Sequence, residues 1–301
     1  MQNKFFITGA NGQLGRDLIH ELTSRGIDCV ASDIQDKFSG SENCTYVQLD
    51  ITDYDAVQEA IHETMPSRVI HCAAWTAVDA AEDDGNKPKV YAVNVTGTEN
   101  IARVCEEYDI AMTYISTDYI FDGTGTEAWK PEDEAFSPLN YYGQTKLEGE
   151  FAVKKHLHKF FIVRIAWVFG KNGNNFVRTM LKIAKTHDTL RVVNDQIGTP
   201  TYTPDLARLL ADINMTEKYG IYHATNEGGY ISWYDFAREI FKQAGVNVNV
   251  FPVSTSEYGL SKAKRPYNSR LDKSKLASSG FRPLPDWKDA LRRYLAENGT
   301  N

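Results

Sequence analysis

Short apolar runs alternate with amphipathic segments through the first half of the chain. Runs of this length are typical of strands that are buried on both faces of a sheet, and the segments between them repeat apolar residues at helical spacing. The predicted strands cover residues 4–8, 28–32, 45–48, 68–72, 112–116 and 160–166. The predicted helices cover residues 12–25, 54–65, 88–108 and 139–156. This alternation predicts an α/β fold, with a doubly wound parallel sheet of the Rossmann type.

The pattern loosens after Gly170, where the elements become shorter and less regular. The predicted helices there cover residues 176–187, 204–213, 233–243 and 288–297, and the predicted strands cover 190–193, 221–223 and 248–252. We predict that residues 1–170 form a dinucleotide-binding Rossmann domain. Residues 171–301 then form mainly a smaller C-terminal α/β substrate lobe, which is partly interleaved with the first domain.

The first predicted strand runs into a glycine-rich loop and then into an amphipathic helix. Glycines at such spacing permit a tight turn and let the backbone approach a pyrophosphate, which the N–H groups of the helix N-terminus can bind. Strand, loop and helix occur in the order that a dinucleotide site requires, although an ordinary βα turn is the alternative. The predicted cofactor-binding residues of this loop are Gly9, Asn11, Gly12, Gln13, Leu14 and Gly15.

Three further strand ends carry residues suited to the same ligand. Asp33 closes the second strand, where an acidic residue usually holds the adenosine ribose hydroxyls. Asp50 and Ile51 follow the third strand and are predicted to meet the adenine end, but Asp50 is equally well placed as a helix N-cap. Ala73 and Ala74 follow the fourth strand, and their small side chains would let a cofactor pass closely.

Tyr142 and Lys146 are separated by one helical turn in the predicted helix 139–156, so their side chains share one face. A nearby ammonium favours the phenolate and lowers the pKa of a tyrosine, which suits proton transfer near neutral pH. The alternative is a chance pair on a surface helix. Asn94 is a polar residue in an otherwise packed helix, predicted to hold a water or the Lys146 region in place, or simply to bend its helix.

Composition limits the classes of partner. The formal net charge is −7, and the sequence contains no block rich in lysine and arginine, so nucleic acid is not expected as a partner. No apolar run is long enough to span a membrane, and no signal peptide is recognised. The cysteines Cys29, Cys44, Cys72 and Cys105 lack metal-like spacing and are expected to be buried thiols, which favours the reducing cytoplasm.

Taken together, these motifs resemble the extended short-chain dehydrogenase/reductase superfamily, and within it the dTDP-4-dehydrorhamnose reductases. The resemblance runs through nearly the whole chain. It rests on the glycine loop, on residues 77–82, 116–123, 142–146, 164–170 and 265–269, and on Asp195-Gln196-Ile197-Gly198-Thr199-Pro200-Thr201. The runs at 118–121 and 195–201 are the most specific to these reductases.

The resemblance implies reduction of the 4-keto group of dTDP-4-dehydro-L-rhamnose by NADPH or NADH. Tyr142 would donate the proton, Lys146 would tune the tyrosine and bind the nicotinamide ribose, and Thr117 would orient the substrate oxygen. Alternation along the strand places either Thr117 or Ser116 on the ligand side, and the resemblance selects Thr117. The further predicted substrate contacts are Thr76, Asp118, Trp167, Arg265 and Asn268. Core packing is the alternative for Trp167, and an exposed arginine without a ligand is the alternative for Arg265.

Other functions remain open at this stage. Tyr119 stands where related dehydratases carry a glutamate, which argues against water elimination. An epimerase with bound NAD, a reductase of another keto sugar, and a dinucleotide-binding regulatory subunit of the methionine adenosyltransferase type are the alternatives. Asp33 favours NADH, whereas the nearby Lys37 weakens that inference. The resemblance also leaves open a homodimer and a magnesium ion, for which Asp17 and Glu297 are acidic candidates, although no metal ligand is assigned.

Overall fold

The computed structural model describes residues 4–40 and 43–299. Its strands in this part of the chain are β1 Lys4–Thr8, β2 Asp28–Asp33, β3 Thr45–Gln48, β4 Arg68–His71, β5 Ala111–Thr117, β6 Phe160–Ile165, β7 Val168–Phe169, β8 Thr189–Val193, β9 Ile197–Gly198, β10 Thr201–Tyr202, β11 Gly220–His223, β12 Ile231–Ser232, β13 Asn249–Val253 and β14 Asn268–Ser269.

The α-helices in the same described ranges are α1 Gln13–Ser24, α2 Tyr54–Thr64, α3 Lys87–Tyr91, α4 Gly97–Glu107, α5 Tyr141–His156, α6 Phe176–Ile183, α7 Thr203–Asn214, α8 Trp233–Gln243, α9 Thr255–Tyr258, α10 Ser274–Ser278 and α11 Trp287–Glu297. A π-helical segment, Ala92–Thr96, joins α3 to α4, and 3-10 turns cover Ala80–Glu82 and Asp118–Ile120.

The central sheet has the strand order β3-β2-β1-β4-β5-β6-β11, and every pair in it is parallel. The predicted doubly wound parallel sheet is therefore confirmed. The direction of winding reverses between β1 and β4, and ligands of such sheets bind beside that point, at the carboxyl ends of the strands. The functional site is accordingly expected where β1, β4, β5 and β6 end.

Side chains alternate across the sheet and divide its core into two layers. Phe5 and Ile7 belong to the layer that contains α1 and α7, whereas Phe6 belongs to the layer that contains α2 and α4. Both layers are apolar because the strands are covered on both faces, as the continuous apolar runs of the sequence predict. A third cluster, built around Phe169 and Phe236, packs α6, α8 and α11 together.

Two differences from the sequence-based expectation bear on the site. The predicted helix 88–108 is divided into α3, the π segment and α4. Strand β11, in the segment after residue 170, pairs with β6 in the central sheet. The second difference is that this segment also forms the two-residue strands β9, β10, β12 and β14. Strands this short show no periodicity in sequence, since they depend on long-range pairing rather than on local pattern.

Candidate active site

The loop after β1 packs directly against the loop after β4. Gly9 has a positive φ of 66°, and a Cβ placed there would lie 2.6 Å from the backbone nitrogen of Ala73. A Cβ on Gly15 would lie 2.2 Å from the carbonyl oxygen of Gly9, so α1 also approaches the loop closely. These contacts bring Gly9, Gly15 and Ala73 together at the switch point of the sheet, where backbone rather than side chains lines the surface.

The N-terminus of α1 is suited to an anion. Its N-cap is Gly12, which brings no side-chain oxygen to the first N–H groups, and the first turn carries no acidic residue. The side chain of Gln13 is used elsewhere, since its amide donates to Asn174 O at 3.2 Å, and Leu14 is buried in the core. Any contact from these two residues to a ligand would therefore come from their backbone N–H groups. The helix dipole and the glycine cradle fit a dinucleotide pyrophosphate.

Asp33 lies at the end of β2, beside the same loop. Its Oδ2 accepts a hydrogen bond of 2.9 Å from the backbone N–H of Asn11. The Asn11 side chain in turn donates to the carbonyl of Lys37 and accepts from Ser39, both from the backbone N–H and from the hydroxyl. The side chain of Asn11 thus holds the loop that follows Asp33 in place. This structural role is additional to the contact with the cofactor that the sequence predicts for Asn11.

Asp50 and Ile51 occupy a turn after β3. Asp50 Oδ1 accepts from the backbone and hydroxyl of Thr52, at 2.9 and 2.8 Å. The N-cap of α2 is instead Asp53, whose side chain accepts from Ala56 N, so the N-cap alternative for Asp50 is wrong. Ile51 is buried, with its carbonyl accepting from Asn100 at 3.0 Å.

Asn94 connects the loop after β4 to helix α5. It lies in the π segment and is 1 % exposed. Its side-chain oxygen accepts from Trp75 N at 2.8 Å, and its amide donates to Trp75 O and to the Thr145 hydroxyl. The structure therefore supports the interpretation that Asn94 holds the Lys146 region. The same bonds position the loop containing Ala74 and the exposed Thr76.

Helix α5 begins against the turn that follows β5. Its N-cap Asn140 accepts from Gly143 N at 2.8 Å. A Cβ on Gly143 would lie 2.3 Å from Tyr119 O, so the absent side chain allows this close approach. The approach brings the ring of Tyr142 edge-on to Tyr119, with centroids 5.9 Å apart. The Thr117 hydroxyl donates to Asp118 Oδ1 at 3.1 Å and accepts from Tyr119 N at 3.3 Å, and it lies close enough to Tyr142 to lower the pKa of the phenol.

Burial controls the protonation of the groups around Tyr142. It raises the pKa of Tyr142 above the ordinary value, the charge of Asp118 raises it further, and the nearby Thr117 hydroxyl lowers it. Asp118 is 2 % exposed, and burial raises the pKa of its carboxyl to about 7, although the hydrogen bond of 3.1 Å that its Oδ1 accepts from the Thr117 hydroxyl acts in the opposite direction. Tyr142 is therefore protonated near neutral pH, and it is burial rather than Lys146 that dominates its titration in the protein alone.

Lys146 lies in the buried layer next to β5. Its side chain is 3 % exposed, and Nζ stands 4.0 Å from the centroid of the Tyr114 ring. Burial lowers the pKa of Lys146 to about 7, while the negative charge of Glu150 acts in the opposite direction. An ammonium over an aromatic ring is stabilised by the ring quadrupole, so Tyr114 helps to position Lys146.

Glu150 stands one helical turn beyond Lys146 and is paired inside the protein. Both of its oxygens accept from the Arg164 guanidinium, at 2.9 and 2.8 Å, and both side chains are fully buried. Arg164 also donates to Pro131 O at 3.1 Å and has His223 Nε2 at 3.4 Å. This network ties α5 to β6 and β11, and so anchors the helix that carries Tyr142 and Lys146.

Among the predicted substrate residues, Trp167 lies at the ligand-binding edge of the sheet, whereas the side chains of Arg265 and Asn268 are bonded to other parts of the protein. Trp167 follows β6, whose Ile165 pairs with Thr117, so it lies at the same strand edge. Arg265 forms a two-point ion pair with Asp79, at 2.6 and 3.1 Å, near the turn 80–82. Asn268 is 1 % exposed, and its side chain bonds within its own surroundings, donating to Thr124 O and Glu127 O and accepting from Arg270.

The acidic candidates for magnesium have protein partners. Asp17 accepts from the Thr203 hydroxyl at 2.5 Å, and Glu297 accepts from the Tyr202 hydroxyl at 2.9 Å. Across residues 4–40 and 43–299, no three His, Cys, Asp or Glu side chains are grouped so that they could hold a metal ion. The magnesium interpretation is therefore unsupported. None of the helices in those ranges combines the length and hydropathy needed to cross a bilayer.

Sequence reasoning missed several residues of this site: Asp79, Tyr114, Gly143, Glu150 and Arg164. Two had a usable signal. Glu150 is i+4 from Lys146 on the same helical face, and Arg164 is a lone charge in the otherwise apolar strand 160–165. The close approach of Gly143 to Tyr119, by contrast, depends on contacts between distant segments and has no local signature.

The chain matches the model of the family described as RmlD substrate binding domain over residues 3–299. A dTDP-4-dehydrorhamnose reductase of Aggregatibacter actinomycetemcomitans is 40 % identical over 307 residues, covering 97 % of this chain and 98 % of the relative. The spore coat polysaccharide biosynthesis protein SpsK of Bacillus subtilis (strain 168) is 37 % identical and covers 99 % and 98 %.

Solved structures give the same result. The dTDP-4-dehydrorhamnose reductase of Bacillus anthracis str. Ames, solved in complex with NADP, superimposes with a TM-score of 0.89 at 40 % identity, covering 99 % of this chain and 100 % of that one. The ortholog from Clostridium acetobutylicum ATCC 824 gives a TM-score of 0.90 at 41 % identity, covering 98 % and 99 %.

Proposed function

Because the chain belongs to the dTDP-4-dehydrorhamnose reductase family of NAD(P)H-dependent oxidoreductases, we propose that it reduces the 4-keto group of dTDP-4-dehydro-L-rhamnose to give dTDP-L-rhamnose. The observation that carries the proposal is the cluster of Thr117, Tyr142 and Lys146 at the strand edge beside the glycine loop. Two segments contribute to it, the end of β5 and the start of α5, and the lysine of a chance surface pair would not be 3 % exposed.

The glycine loop and the start of α1 would hold the pyrophosphate of NADPH or NADH, and Asp33 would accept the adenosine ribose hydroxyls. When bound, the nicotinamide supplies the hydride. Asp50, Ile51, Ala73 and Ala74 line the strand ends along which the cofactor would extend. The buried ammonium of Lys146 would donate to the nicotinamide ribose. These hydrogen bonds would lie out of contact with water, and they would compensate for the free-energy cost of burying the charged ammonium group.

Tyr142 would protonate the substrate oxygen. Burial keeps its phenol protonated near neutral pH, which is the state that a ketone reduction requires. As the carbonyl gains electrons, its oxygen becomes more basic, and a hydroxyl held within hydrogen-bonding distance can deliver a proton to it. Thr117, whose hydroxyl lies near Tyr142, would share that oxygen and fix its direction. Charged Lys146 would stabilise the tyrosinate that remains.

Three residues would hold the sugar nucleotide. Asp118 has one buried carboxyl oxygen, Oδ2, that lacks a hydrogen-bond partner within the described chain, so a sugar hydroxyl could complete its bonding. Trp167 offers an aromatic surface for the sugar ring. Arg265 offers a planar guanidinium for the diphosphate, which would compete with Asp79 for it. We leave Asn268 out of this set because its side-chain groups already bond to the chain.

The test is a coupled assay with purified protein, NADPH or NADH, and enzymatically prepared dTDP-4-dehydro-L-rhamnose. Loss of absorbance by the reduced nicotinamide, together with formation of dTDP-L-rhamnose in equal amount, is the expected result. Omitting the keto sugar is the control for slow oxidation of the cofactor. Comparing rates with the two cofactors at equal concentration ranks them in the same experiment.

The alternatives give different outcomes in that assay. A bound-NAD epimerase would convert a sugar nucleotide without consuming added cofactor. A regulatory subunit would bind the dinucleotide and leave the keto sugar unchanged. A reductase for another sugar would consume cofactor only with a different keto substrate. Any of these three results would refute the proposed reaction.

A further inference from the structure

Trp167 adopts an unusual backbone conformation at the edge of the site. Its φ is 51°, in the left-handed region that a large side chain rarely occupies. It follows Ile165, the partner of Thr117 in the sheet, and its side chain remains partly exposed. A rare backbone conformation of this kind persists only where contacts with the surrounding structure hold the residue in it.

The segment 195–201 holds Trp167 in this conformation. Thr201 donates its backbone N–H to Trp167 O at 3.1 Å and its hydroxyl to Ala166 O at 2.6 Å. Gly198 leaves room for the ring, since a Cβ there would lie 2.9 Å from the indole of Trp167. The segment 195–201, which is among the motifs most specific to the reductases, therefore contacts both the backbone and the ring of Trp167 and holds them in place.

Trp233, the first residue of α8, also contacts the ring of Trp167. Its ring is stacked on that of Trp167, with centroids 3.7 Å apart and an interplanar angle of 16°. Trp233 is itself held by Phe176, at a centroid distance of 4.5 Å, and α8 begins with a capping box between Ser232 and Asp235. The indole of Trp167 is therefore fixed on one side by a ring that belongs to a rigid helix start.

We propose that Trp233 is a positioning residue for substrate: by stacking on Trp167, it fixes that indole as the wall against which the sugar of the dTDP-sugar packs. The inference rests on the proposed function for the identity of the ligand. A sugar ring gains from packing on an aromatic face only when the face is held in place, because ordering a mobile side chain at the moment of binding costs affinity.

The experiment compares the binding of dTDP-L-rhamnose and of dTDP by calorimetric titration. Trp233→Leu is expected to weaken binding of dTDP-L-rhamnose by about tenfold and binding of dTDP by less than about twofold. In steady-state kinetics, KM for the keto sugar should rise by a similar factor while kcat stays within about twofold. Circular dichroism should show loss of the exciton signal of the stacked indoles.

Two further variants make the result specific. Tyr234→Leu changes the next residue of α8, which packs against the cluster around Phe236, and should leave both affinities unchanged. Trp233→Phe keeps a ring and should lose only about threefold for dTDP-L-rhamnose. It also replaces the leucine variant if that one does not fold.

Equal weakening of dTDP and dTDP-L-rhamnose, or no weakening of either, would overturn the role of Trp233. A wild-type protein that binds neither ligand would instead refute the proposed function.

Discussion

Gly143 packs against the carbonyl of Tyr119 so closely that a Cβ at this position would lie 2.3 Å from the oxygen. This contact sets the distance between helix α5 and the turn after β5. Because Tyr142 is the neighbour of Gly143 and Thr117 precedes the turn by one residue, the contact also sets the spacing between these two hydroxyl-bearing side chains. Helix α5 can approach the turn this closely only because residue 143 has no side chain.

Gly143→Ala should therefore impair catalysis although alanine is the better helix former. The added methyl group forces α5 away from Tyr119, and we expect kcat to fall by about tenfold or more, with about 1–3 kcal/mol lost from the free energy of unfolding. Steady-state kinetics and urea unfolding measure the two effects. Gln144→Ala, at the exposed next position, is the control. Wild-type kcat in Gly143→Ala would show that this docking contact is unimportant.

Tyr142→Phe removes the proposed proton donor while keeping the ring. Positioned acids contribute about 10²–10⁴-fold to such reactions, so we expect kcat to fall by about a thousandfold while the Kd for NADPH stays within about twofold. Tyr141→Phe is the matched control, since Tyr141 is only partly buried and its hydroxyl is 3.5 Å from Lys87 O. Near-normal turnover by Tyr142→Phe would remove this residue from the mechanism.

Binding of NADPH should be accompanied by proton uptake at a pH of about 8. In the protein alone, burial lowers the pKa of Lys146 to about 7, so the side chain is mostly neutral at that pH. A bound dinucleotide brings negative charge and ribose hydroxyls, which favour the ammonium, and uptake should approach about one proton per site. Calorimetry in buffers with different ionisation enthalpies measures it. The same uptake in Lys146→Met would mean that another group titrates.

Lys146 should also make stability depend on pH. The pKa of Lys146 falls from 10.5 in the unfolded chain to about 7 in the folded protein. Between these values the unfolded chain binds more protons, so wild-type stability rises with pH in that window. Lys146→Met should therefore be more stable than wild type by a few kcal/mol below about pH 7, and this advantage should disappear near pH 10.5. Urea unfolding of cofactor-free protein at several pH values provides the measurement, and a constant difference would contradict it.

Asp33→Ala should shift cofactor preference toward NADPH. A carboxylate at the ribose repels a 2′-phosphate, so its removal should change the NADPH to NADH ratio of kcat/KM by about tenfold or more. Asp33 also accepts a bond from Asn11 N, and Asp33→Asn tests the charge while retaining an acceptor. Asp36→Ala, which removes a nearby exposed charge, is the control. An unchanged ratio in both Asp33 variants would place the ribose elsewhere.

Much of the fold and part of the candidate site could be predicted from local pattern. Apolar runs at strand length, glycines after β1 and the i,i+4 pair Tyr142 and Lys146 are all short-range signals. The pKa shifts could not be predicted in this way. The expectation that Lys146 lowers the pKa of Tyr142 holds for an exposed pair, whereas here burial dominates and raises it. The degree of desolvation depends on what packs around a group, and sequence spacing does not report it.

Local patterns along the chain suffice to specify the alternation of strands and helices, and so the parallel sheet and the edge at which a ligand would bind. This follows because period and propensity act within a few residues. The distant residues that meet at that edge depend instead on how the folded chain packs. Glu150 pairs with Arg164, Trp233 stacks on Trp167, and Gly143 docks on Tyr119 through contacts that close long loops. Such contacts are fixed by how the layers pack together, since many arrangements satisfy the same local pattern.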